Sequence, residues 1–166
     1  MEVHMIELPE NIKLEEVPIE KRYRSVTAGL TRRIKILYDT IYEKYGSDGL
    51  DLIREVGNTY GSEIAERAKK TLKDNDLKSV ALYVIRIFNN VRGRGKVVEF
   101  SDKRVVIRVW ECPYPWEKQE MCEAHTQMEK KLVESLGQNL CYRIDKSLPK
   151  GDPYCDHVIE IRTDEG

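Results

Sequence analysis

The first 111 residues contain no cysteine, and the whole 166-residue chain holds only two phenylalanines, two tryptophans and three histidines. No apolar run approaches the roughly 18 to 20 residues that span a bilayer, since the longest stretches, Val80 to Ile85 and Val105 to Ile107, stop far short. Membrane insertion is excluded on that ground. Neither sign of charge dominates: 28 Lys and Arg stand against 29 Asp and Glu, so nothing in the balance asks for nucleic acid. The N-terminus, MEVHMIELPENIKLEE, is acidic and interrupted by Pro9 where a signal peptide would have a basic start and an apolar block. A cytoplasmic location is expected. Without an export signal, four cysteines read as thiols, metal ligands or redox groups rather than structural disulfides.

There is also no internal repeat and no low-complexity linker, so one domain over residues 19–166 is expected, preceded by an arm over residues 1–18 that carries Pro9 and Pro18. At this length a domain buries roughly 70% of its unfolded surface and needs no disulfide to stand.

The apolar set Tyr23, Val26, Leu30, Ile34, Leu37, Ile41 and Tyr45 recurs at three and four residues and predicts an amphipathic first helix that ends at Gly46. A second follows from Ser47 or Asp48, with Leu52, Ile53, Val56, Tyr60, Ile64 and Ala68 as its stripe. Gly57 and Gly61 within it imply a kink, a split or close packing. A third begins at Asp74 or Asp76 and turns Leu77, Val80, Ala81, Val84, Ile85 and Phe88 inward. All three stripes are expected to be core.

The period then changes. KVVEF and RVVIRVW, separated by Ser101-Asp102-Lys103, read as a hairpin, and the basic run Arg92, Arg94 and Lys96 as a solvated turn. After the loop CPYPW, residues 117–136 return to helix period through Met121, Cys122, His125, Met128, Leu132 and Leu136. Two short strands follow near 140–145 and 156–162, joined by the turn-forming LPKGDPY. The fold class is α+β, in the order ααα-ββ-α-ββ with a small antiparallel sheet.

All four cysteines and two of the three histidines fall in the last third of the chain. Cys122 and His125, three apart on a helix, share one face and fall on its apolar stripe. Cys155 and His157 share one face of the last strand, and Cys112 leaves the end of an earlier strand as Pro113 breaks it. Thiolate and imidazole in that number suit a metal, with Cys112, Cys122, His125 and Cys155 as ligands of zinc or, alternatively, iron. An iron–sulfur cluster would need Cys141 to join, and its spacing matches no ferredoxin run. Cys141, between Leu140 and Tyr142, reads as a packing residue. In a competing reading Cys122 is a nucleophile activated by His125 near a helix N-terminus. His157, Asp145 and Asp152 stand as second-tier candidates, and Trp110, Tyr114 and Trp116 as walls of an apolar pocket.

The segments YEKYGSDGLDLIREVGNTYG, WECP, MCEAH, SLG and LPKGDPYCDHVIEI, in that order across roughly residues 30 to 162, resemble the L-2-amino-thiazoline-4-carboxylic acid hydrolase-like family. That resemblance implies a hydrolase opening a cyclic carbon–nitrogen bond, with Cys122, His125 and Cys155 in the shared pattern. The C-terminal half is also similar to 4-vinyl-reductase-type small-molecule-binding domains, which implies a zinc held by cysteines and an acidic residue beside a ligand pocket. Cys122 and Cys155 match two of those cysteines. Leu148 stands where the pattern has another, and Asp145 where its acidic ligand would be, so His125, Cys112 or His157 would have to complete the set. The functional expectation is therefore a hydrolase of a small cyclic substrate or, alternatively, a non-catalytic small-molecule-binding or sensor domain with a structural metal. A small-molecule ligand is the expected partner, and a homodimer is compatible with the composition.

Overall fold

The computed structural model describes residues 16–91 and 93–162. The arm assigned to residues 1–18 falls outside them but for its last three, and Arg92 of the basic run falls outside as well.

The chain forms α1 (Ile19–Tyr45), α2 (Ser47–Lys69), α3 (Leu77–Asn90), β1 (Arg94–Phe100), β2 (Arg104–Glu111), α4 (Gln119–His125), α5 (Gln127–Leu136), β3 (Leu140–Ile144) and β4 (Cys155–Ile161), with a short 3-10 turn over Leu148–Lys150. This is the α+β arrangement expected, with three helices ahead of an antiparallel sheet. Gly46 ends α1 at φ 57°, a left-handed conformation that side chains rarely adopt. Asp76 caps α3 by accepting the Ser79 N–H at 2.8 Å.

The four strands are ordered β1-β2-β4-β3, all antiparallel. The last strand in sequence thus lies inside the sheet, where β2 and β3 both hydrogen-bond to it. Val105, Ile107, Val109, Tyr142 and Ile159 turn to one face, against α3, α5 and the second half of α2. Across the sheet, Arg108 grips Asp156 with two hydrogen bonds at 2.8 and 2.9 Å, and its guanidinium lies 3.7 Å from the Tyr154 ring centroid.

Gly57 and Gly61 leave α2 unbroken and serve close packing. A Cβ at Gly61 would stand 2.5 Å from the Met128 carbonyl oxygen, and one at Gly57 would stand 3.1 Å from the Met128 nitrogen. The backbone of α5 therefore lies directly on α2.

Three expectations are corrected. The stripe of α2 is core only at Ile53, Ile64 and Ala68, while Leu52, Val56 and Tyr60 are exposed, because the buried face of the helix runs instead through Gly57 and Gly61 against α5. The helix expected over residues 117–136 is two helices, broken at Thr126, whose hydroxyl donates to the Cys122 carbonyl at 3.0 Å and competes with the helical ladder. The stripe of α1 is not core. Thr31 is the buried residue of that helix, while Tyr23, Val26, Leu30 and Leu37 are exposed. What α1 covers, with Ile34, Tyr38, Ile41 and Tyr42, is a second, smaller apolar cluster of Leu50, Ile53, Trp116, Met121 and Cys122. Among the described residues, no helix is long and apolar enough to cross a membrane.

Candidate functional site

The seam between the two clusters holds the cysteine and histidine side chains. Cys112 ends on the loop after β2, Cys122 and His125 lie one turn apart on α4, and Cys155 and His157 share a face of β4. All five line one void of about 80 Å³, together with Trp116, Met128 and Phe88. Cys112, Cys122 and Cys155 also form the wall of a neighbouring, more open cavity of about 470 Å³, which Trp110 and Pro149 border from outside. The convergence anticipated for these side chains is present, and Tyr114 and Trp116 wall the void as anticipated. Cys141 lies apart, its sulfur 3.9 Å from Glu160.

Two of the sulfurs accept backbone hydrogen bonds, Cys112 from the Tyr114 N–H at 3.4 Å and Cys155 from the Leu148 N–H at 3.3 Å. Such donors favour thiolate, but burial outweighs them. Cys112 is exposed as a residue, yet enough protein surrounds its sulfur to push the thiol up to about 11. Cys122 is pushed up to about 12 by burial and then by the like charge that Cys155 and Cys112 would carry, and burial raises Cys155 too. The thiols are neutral at physiological pH.

The histidines are neutral as well. Burial pushes His125 down to about 4, enclosed by the rings of Tyr114 at 4.4 Å, Trp116 at 5.2 Å and Tyr38 at 5.9 Å between centroids. His157 is likewise pushed down to about 4 by burial, and its Nδ1 is hydrogen-bonded to the Tyr142 hydroxyl at 2.6 Å. A protonated Cys122 beside an uncharged His125 is not an activated pair.

Among the described residues, no three or more His, Cys, Asp or Glu side chains are grouped so that they could hold a metal ion. The arrangement as it stands does not fit zinc, iron or a cluster. Asp145 lies outside the void, bound by Arg143 at 2.6 Å and Arg104 at 3.0 Å, and Asp152 holds the turn before β4 by accepting the Ser147 N–H at 2.8 Å.

One residue of the void was not anticipated. Glu129 on α5 is buried, its Oε2 has no hydrogen-bond partner, and burial pushes its carboxyl up to about 7. Among the described residues, no Lys or Arg lines the void to compensate it. The Trp116 Nε1, on the same lining, is a second buried group without a partner. The signal was available in the spacing, because Glu129 stands seven residues after Cys122 and four after His125, on the same inward stripe.

No family model matches the chain, and no curated protein matches it. Solved structures do. A trafficking protein particle complex subunit 3 from Naegleria fowleri, covalently bound to palmitic acid, superposes with a TM-score of 0.63 at 11% identity, covering 84% of this chain and 97% of that one. The phenol-responsive sensory domain of the transcription activator PoxR, with phenol, superposes with a TM-score of 0.56 at 15% identity, covering 81% of this chain and 74% of that one. At these identities the likeness is one of fold.

Proposed function

We propose that this domain binds a small uncharged molecule in the void between α4, α5 and the sheet, and that it senses or carries the molecule rather than transforming it. The observation that carries this reading is the Glu129 carboxyl, buried in an apolar-lined void with Oε2 unpartnered. A buried polar group left without a partner costs about 1 to 3 kcal/mol, and two such groups on one void are explained by a ligand that supplies the missing hydrogen bonds. The Trp116 N–H and the protonated Glu129 carboxyl both donate, so the ligand offers an acceptor such as a carbonyl or hydroxyl oxygen. The aromatic lining favours a flat, apolar remainder.

The void of about 80 Å³ is smaller than the roughly 150 Å³ that holds a benzene ring. Room for a larger ring comes from the adjoining cavity, which the Cys112–Trp116 loop and the thiol wall separate from it. Likeness of fold to a phenol-responsive sensory domain with phenol and to a subunit covalently bound to palmitic acid supports a binding role, since both hold an organic molecule. The hydrolysis implied by the family resemblance would need a thiolate at Cys122 or a metal-activated water, and the neutral thiol and imidazole do not favour it.

The test is binding of benzamide, acetophenone and benzyl alcohol, followed by quenching of tryptophan fluorescence and by amide chemical shifts. At least one should bind saturably at one site per chain, with shifts at Trp116 and along α5, and Glu129→Leu should weaken it tenfold or more. Saturable binding left unchanged by Glu129→Leu would place the site elsewhere.

A further inference from the structure

The outer face of α1 bears on assembly, independently of what the void holds. Ile19, Tyr23, Val26, Leu30, Ile34, Leu37 and Ile41 follow one another at intervals of four, three, four, four, three and four, and so form a single stripe along the helix. Its inner edge, Ile34 and Ile41, leans on the smaller apolar cluster. Among the described residues its outer edge is left largely open: Ile19 is 77% exposed, Tyr23 45%, Val26 60%, Leu30 56% and Leu37 55%, and Tyr23 meets α3 through its hydroxyl, which donates to the Asn90 carbonyl. Monomeric surfaces carry scattered apolar residues, but an unbroken row on one helix is a contact surface.

We propose that this row is the interface of a homodimer, in which α1 packs antiparallel against α1 of a second copy about a two-fold axis at Leu30. The register follows from the sequence. With Leu30 on the axis, Ile19 faces Ile41, Tyr23 faces Leu37 and Val26 faces Ile34, so each apolar side chain of the stripe meets another. The cations are kept apart by the same register: Lys21 stands opposite Asp39, Arg22 opposite Tyr38, Arg24 opposite Ile36, Arg33 opposite Thr27 and Lys35 opposite Ser25. A parallel pairing would place each of these cations beside its own copy.

The five exposures amount to on the order of 600 Å² per copy, against roughly 800 Å² per partner for an interface of standard size, and the half-covered Ile34 and Ile41 narrow the difference. A second copy is favoured by the antiparallel register, which sets Lys21 opposite Asp39 and apolar residues opposite one another; the net basic charge of α1 makes an anionic bilayer the alternative that the test separates. Since Tyr38 on the same helix stacks on Trp116 at 5.6 Å, the interface lies one helix away from the void.

Sedimentation equilibrium of the full chain between 1 and 100 µM tests the proposal. The expected result is twice the chain mass, with Leu30→Glu weakening dimerisation at least a hundredfold. Its circular dichroism and melting transition should match those of wild type at the lowest concentration, because Leu30 is already exposed in the monomer. Leu30→Cys should form a cross-linked dimer under mild oxidation in higher yield than wild type, whose Cys112 is exposed, or than Leu82→Cys on α3. A wild-type monomer at 100 µM overturns the proposal, and so does a dimer that persists in Leu30→Glu. Monomeric protein that binds phosphatidylserine vesicles, and loses that binding in Leu30→Glu, overturns it in favour of a membrane surface.

Discussion

The His157 Nδ1 and the Tyr142 hydroxyl, 2.6 Å apart, join β4 to β3 beneath the void, and the Phe88 ring stands edge-on to the imidazole at 4.8 Å between centroids. Burial keeps this imidazole uncharged. His125, boxed by three aromatic rings, is uncharged for the same reason.

Acidification should therefore destabilise the fold. Both imidazoles have a folded pKa of about 4 against an unfolded value of 6.5, so the unfolded chain binds more protons between those limits and stability falls as pH drops through that window. Each contributes about 3 kcal/mol over the full window. Glu129, raised to about 7 from 4.5, acts oppositely and offsets one of them. The net loss between pH 6.5 and 4.5 is about 1.4 kcal/mol per pH unit, to be read from urea midpoints. Ring resonances of both histidines should remain those of neutral imidazole at pH 5.

Replacing Glu129 by Gln should stabilise the empty protein above pH 7 by about 3 kcal/mol, because the folded state there holds a carboxylate that burial disfavours. At pH 4.5, where the folded carboxyl is protonated and the unfolded one half so, the difference should nearly vanish. Thermal unfolding at pH 8 and 4.5 reads both ends.

Gly61→Ala should destabilise the domain by about 2 kcal/mol despite alanine's better helix propensity, because its Cβ meets the Met128 carbonyl at 2.5 Å. Denaturant unfolding checks this. Gly29→Ala, with nothing within 4 Å of the new methyl, should instead be neutral or slightly stabilising.

Thiol labelling at pH 8 should modify the half-buried Cys141 first and Cys112, exposed as a residue but with its sulfur enclosed, more slowly, while Cys122 and Cys155 react only as the protein unfolds. Mass spectrometry of peptides after iodoacetamide treatment distinguishes the sites. Rapid modification of Cys122 would mean that it carries a thiolate.

Much of this architecture was legible in the residues, since α3 follows its apolar period and the strands their alternation, whereas α2 follows its period only at Ile53, Ile64 and Ala68 because its glycines, not Leu52, Val56 and Tyr60, face the protein. The gathering of Cys112, Cys122, His125, Cys155 and His157 was legible too, because helical and strand spacing fixes which side chains share a face. The break at Thr126 was not, because the spacing from Cys122 through Leu132 runs across it unaltered and threonine is no strong helix breaker. Nor was the exposure of α1, since amphipathicity marks a face to be covered without saying what covers it. Glu129 was missed because a sequence does not show whether a carboxylate on an apolar stripe escapes to water or stays enclosed.

The most direct test of the ligand site is the pH dependence of probe binding between 6 and 8.5. In that window Glu129 titrates, while the histidines and the cavity thiols Cys112 and Cys122, at about 4, 11 and 12, do not. If the protonated carboxyl donates to the ligand, the dissociation constant of the best-binding probe should rise about thirtyfold across the window, and Glu129→Gln should flatten the profile. A constant affinity in the wild type would contradict the account.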